Sequence, residues 1–137
     1  MKIISYTLLL AALLFSALNS FSQKSKLVSV KVESTDLATQ TLVAVECSQF
    51  EKMFTTTTAR HSITSSSDLA LLEETTKHFI LSNGEDKIDV RGTVTFRYRR
   101  VAIKYCFDRY GLFYGKGRYF KNQLLLNIIL KKIDFEK

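Results

Sequence analysis

Apolar and polar residues alternate with a period of two through three separate stretches of the chain. Leu27 to Glu33 places Val28, Val30 and Val32 on one side and Ser29, Lys31 and Glu33 on the other, the pattern of a half-buried strand. Thr41 to Cys47 resumes the alternation with Val43, Val45 and Cys47, which predicts a second strand paired with the first across a polar loop at 34–40. From Val90 the alternation returns. Val90, Val94, Phe96 and Tyr98 oppose Arg91, Thr93, Thr95 and Arg97, and after Arg99-Arg100 the series Val101, Ile103, Tyr105, Phe107 opposes Ala102, Lys104, Cys106, Asp108. Two alternating runs so closely spaced predict a hairpin. Asp108-Arg109-Tyr110-Gly111 suits a type I turn, with a glycine free to take positive φ, and Gly115-Lys116-Gly117 supplies a further bend. The stretch is expected to form a meander of three or four strands.

Between these runs the period changes to that of a helix. Phe50, Met53 and Phe54 share one face of a short helix that Ser48 could cap. The Thr- and Ser-rich segment 55–67 favours a loop, with a short strand near Ile63, because hydroxyl side chains compete for backbone hydrogen bonds. A longer helix is expected from a Ser67 cap to Asn83-Gly84, with Leu69, Leu72, Phe79 and Ile80 as its apolar stripe. Asn122 is placed to cap a last helix whose Leu124, Leu125, Ile128 and Ile129 meet the core, with Lys131 and Lys132 near its negative end; a strand through 124–130 is the competing reading. Consecutive strands without regular alternation with helices predict a small single α+β domain: an antiparallel sheet of two N-terminal strands plus the meander, with two helices packed on one face.

The first residues change the compartment. Lys2, an apolar run from Tyr6 to Leu18 and small residues at Ser20-Phe21-Ser22 have the form of a secretory signal, resembling those of proteins exported by Gram-negative bacteria. Residues 1–22 are therefore expected to be removed, leaving 23–137 as the mature domain, secreted or periplasmic and without a transmembrane segment. In an oxidising compartment Cys47 and Cys106, the two cysteines of the chain, are expected to form a disulfide.

Charge sharpens the picture only in one place. The whole chain carries +7, yet between Arg91 and Lys121 there are nine cations against the single acid Asp108, interleaved with nine aromatic rings. Arg91, Arg97, Arg99, Arg100, Lys104, Arg109, Lys116 and Arg118 are the candidate anion-binding residues, because cations gathered on one face sum their fields where scattered ones do not. Exposed rings such as Tyr110 and Tyr114 could add stacking. An anionic glycan, lipopolysaccharide or an acidic protein is the partner this predicts, and nucleic acid is disfavoured by export.

Catalytic chemistry is poorly represented. His61 and His78 are the two histidines and lie in no metal-ligand spacing, so no metal or cofactor is expected. No G-x-S-x-G is present, and Gly111 to Gly117 lacks the spacing and the Ser or Thr of a phosphate loop. The expectation is a non-enzymatic binding or interaction domain; the alternative is a structural or inhibitor-like partner of another envelope protein, with a small enzyme less favoured.

Overall fold

The fold is described from a computed structural model covering residues 25–83 and 87–134. Residues 1–24, which carry the expected signal, and Gly84 to Asp86 lie outside the described residues. In chain order the elements are β1 (Leu27–Ser34), α1 (Phe50–Met53), β2 (Ala59–Ile63), α2 (Ser66–Thr76), β3 (Ile80–Leu81), β4 (Gly92–Tyr98), β5 (Ala102–Phe107), β6 (Leu112–Gly115), β7 (Arg118–Lys121) and α3 (Gln123–Asp134). The seven strands form one antiparallel sheet in the order β2-β1-β4-β5-β6-β7-β3. The α+β class and the basic meander are as the alternation predicts.

One face of the sheet meets the helices. Leu69 and Leu72 of α2 and Leu125, Leu126, Ile129 and Ile133 of α3 join a single buried cluster with Val30, Val32, Val94, Phe96, Tyr105, Phe107 and Phe113. Asn122 holds the two helices in place: its Oδ1 accepts from the Leu125 N–H at 2.9 Å as the expected cap, while its Nδ2 donates to the Thr75 carbonyl at the end of α2. Leu124, expected in the core, is exposed; Leu126 takes its place. The opposite face is covered by irregular chain and α1, with Val45, Phe50, Phe54, Ile88 and Val90 packed on Cys106 and Leu112. Gly92 allows close packing at the start of β4, since a Cβ there would fall inside the Phe107 ring.

Three expected elements differ. Thr41 to Cys47 is not a strand: Leu42 and Val43 are exposed, and β1 pairs instead with β2 and β4. Its alternation is overridden because its backbone groups are answered singly and not by a ladder: the Val45 N–H donates to the Asp89 carboxylate, the Val45 carbonyl accepts from the Val90 N–H, and the Val43 carbonyl accepts from the Thr41 hydroxyl. The long helix ends at Thr76 and not at Asn83-Gly84. Thr75 and Thr76 hydroxyls bond back to the Leu71 and Glu73 carbonyls, and the chain turns so that Phe79 lies among Tyr105, Phe113 and Phe120, 5.0 to 5.4 Å between ring centroids. Its start also moves: Ser65 occupies the N-cap position in place of Ser67, as Gln49 does in place of Ser48 for α1, and neither makes a side-chain cap. Third, the ladder between β1 and β4 shifts register between Leu27 and Ser29, so that Leu27 is buried and Val28, expected inside, is 48% exposed.

The turns follow the sequence closely. Gly111 has φ 79°, and the Lys116-Gly117 pair takes φ 53° and 71°, which returns β6 into β7. Asp108 Oδ1 accepts from the Tyr110 and Leu112 N–H groups at 2.8 and 2.9 Å. Burial pushes the Asp108 carboxyl above the ordinary carboxylate range, and these two N–H groups only partly offset it. A raised folded-state value means that the contribution of Asp108 is most favourable at low pH and is lost as pH rises through that value. Asp108→Asn keeps a carbonyl acceptor for both N–H groups and removes the ionisation. Denaturant unfolding at pH 4 and pH 7 is expected to show the variant gaining stability relative to wild type as pH rises; an equal difference at both pH values would contradict this.

Candidate anion-binding surface

The eight candidate cations divide into three groups. Arg97, Arg99 and Arg100 converge. Arg97 is the next-to-last residue of β4, on the face away from the helices, and Arg99 and Arg100 form the turn into β5, closed by the Tyr98 N–H donating to the Val101 carbonyl at 2.8 Å. Together with Val28, Tyr98, Val101 and Ala102 they line a cleft of about 380 Å³ that contains no acidic side chain among the described residues. All three arginines are exposed, and among the described residues none forms an ion pair. Val28 and Val101, 48% and 52% exposed, give the cleft an apolar wall.

Lys104, Lys116 and Arg118 belong to the same half of the sheet without joining the cleft. Lys104 faces the same side as Arg97 but donates to Glu51 of α1 at 2.7 Å. On the neighbouring strands Lys31 and Arg60 share Glu33, at 2.9 and 2.8 Å. Burial works against the Glu33 charge, yet its bonds to Lys31 and Arg60 prevail and hold it below the ordinary value, so these two cations are already answered. Lys116 and Arg118 are exposed at the separate turn between β6 and β7.

Arg91 and Arg109 lie at the opposite end of the sheet and serve the fold. Arg91 is completely buried, 0% exposed, contrary to its expected place on a solvated face. Its guanidinium pairs bidentately with Asp89, 2.7 Å to each oxygen, and donates to the carbonyls of Thr39 and Val90 and to Thr41 Oγ1. Arg109 donates to the same Thr39 carbonyl at 3.1 Å and lies over the exposed Tyr110 ring. The Val45 N–H donates to Asp89 Oδ1, and the Val45 carbonyl accepts from the Val90 N–H. Loop 36–45 is thus organised around a buried ion pair.

No family model, curated protein or solved structure matches the chain. The sequence pointed to the three arginines by their density but concealed Val28, because only the register shift in β1 turns it outward. Cys47 and Cys106 form the expected disulfide, with Cα atoms 5.7 Å apart. Among the described residues no helix is long and apolar enough to cross a membrane.

Proposed function

We propose that this chain is an exported, non-enzymatic binding domain whose hairpin cleft takes an anionic, partly apolar component of the cell envelope, such as a phosphorylated glycolipid of the lipopolysaccharide type. The observation that carries the reading is that Arg97, Arg99 and Arg100 line one concavity with no acid among its described lining residues. Guanidinium groups bind phosphate and carboxylate through paired N–H donors, and unpaired arginines held together attract an anion more strongly than the same charges dispersed. Val28 and Val101 supply contact for the apolar part of such a ligand. The signal-like start and the disulfide support an extracytoplasmic setting.

A second reading, an inhibitor-like or structural partner of another envelope protein, is favoured by one observation. The loop held by Arg91 and Arg109 presents Leu42 at 105% relative exposure next to the exposed Val43.

Replacing Arg97, Arg99 and Arg100 together with Ser separates the readings. The variant is expected to unfold at the same denaturant concentration as wild type, since surface substitutions of this kind usually change stability by no more than about 0.5 kcal/mol. It is also expected to leave heparin and lipid A resins at clearly lower salt, because exposed charge pairing is screened by salt. Elution of both proteins at the same salt would overturn the anionic reading.

A further inference from the structure

We propose that the groove between the Cys47–Cys106 bridge and the Tyr114–Tyr119 pair is a second binding site, one that takes a pyranose ring of a neutral oligosaccharide. The groove encloses about 590 Å³ on the face of the sheet away from the helices, and Glu46, Ser48 and Lys87 stand with the two tyrosines among its lining residues. Tyr114 and Tyr119 are direct partners across the β6–β7 ladder, so their side chains leave the sheet on the same side. Their centroids are 4.9 Å apart and their planes are tilted by 46°, which makes a shallow, angled platform. The C–H face of a sugar ring is apolar and packs against such rings, while its hydroxyls need polar partners at the edge.

Those partners are present and, among the described residues, uncommitted. A half-buried tyrosine usually engages its hydroxyl, yet among the described residues neither the Tyr114 nor the Tyr119 hydroxyl has a hydrogen-bond partner. The Glu46 carboxylate accepts, Lys87 donates and Ser48 does either, which matches sugar hydroxyls that donate and accept at once. Among the described residues the rim carries one acid and one base, Glu46 and Lys87, in contrast to the all-cationic arginine cleft. The disulfide fixes the 44–48 wall against β5, so the groove is preformed and binding costs less ordering.

The test is saturation-transfer NMR on the purified protein with chitotetraose, cellotetraose and maltotetraose as probes. At least one probe is expected to receive saturation on its axial ring protons. Tyr119→Ala should weaken that probe about tenfold, equivalent to about 1.4 kcal/mol, within reach of losing one aromatic contact. Tyr119→Phe, which keeps the ring, should lose less. The triple arginine variant should bind the sugar as wild type does, while Tyr119→Ala should leave heparin elution unchanged, so the two sites fail or stand separately. Absence of transfer to all three probes, or a folded Tyr119→Ala protein that binds as tightly as wild type, would overturn the proposal. Should Tyr119→Ala not fold, the exposed Glu46→Gln decides: a several-fold loss is expected, and no loss overturns it.

Discussion

Asp89→Ala is expected to destabilise the protein by about 3–5 kcal/mol, because it leaves the Arg91 guanidinium charged, buried and without its anion. The asymmetry of the pair sets the direction. The Arg91 side chain is 1% exposed and that of Asp89 is 32% exposed, so removing the acid strands the group that water cannot reach. The Val45 N–H loses its acceptor in the same step. Urea unfolding should show a lower midpoint with an unchanged slope, since the surface exposed on unfolding stays the same. Asp89→Leu combined with Arg91→Met should be closer to wild type than Asp89→Ala alone, because an apolar pair of similar volume carries no desolvation penalty. A single variant within about 0.5 kcal/mol of wild type would show that the loop relaxes to admit water, and the ion pair would then not be the organiser of loop 36–45.

Removal of the disulfide is the second large effect. Cys47 and Cys106 are separated by 59 positions, and a closed loop of that size confines the unfolded chain enough to be worth about 4 kcal/mol. Cys47→Ser with Cys106→Ser should lose close to that amount, and wild type in a strong reductant should match it. Against a total of about 5–15 kcal/mol for a domain, this is a large share. The unfolded, unreduced wild type should titrate no free thiol. A loss below about 1 kcal/mol would mean that the unfolded chain is already compact enough for the bridge to confine it little, and would overturn the prediction.

The strands that are most local in character were the most legible. The hairpin of β4 and β5 and the two glycine-bearing turns follow from alternation and φ requirements alone, and Asn122 announces α3. What failed was decided by distant partners. Val43, Val45 and Cys47 alternate as a strand should, but the Val45 N–H and carbonyl are taken by Asp89 and Val90, more than forty positions away. The short strand expected near Ile63 is present as β2, although Ala-Arg-His-Ser-Ile has little apolar alternation of its own and its extent is set by the ladder that β1 offers. Parity with Thr93 and Arg97 predicts a solvated Arg91, yet the residue is buried. The Asp89-Val90-Arg91 sequence held the missing signal, since residues two apart on an extended chain lie on one side and can pair there. In the site, cation density located the hairpin arginines but could not distinguish them from Lys104, whose charge Glu51 of α1 answers on the same face of the sheet.

The place of β1 bears on how the chain reaches its folded state. It comes earliest of the described strands, yet it lies inside the sheet between β2 and β4, and the β4 ladder runs from Leu27↔Tyr98 to Ser34↔Gly92. During synthesis β1 therefore has no complete bed until Tyr98 has emerged, and closing so long a loop is entropically costly before any contact repays it. Folding is thus deferred to a late, chain-wide event, which leaves the polypeptide pliable for most of its passage from the ribosome.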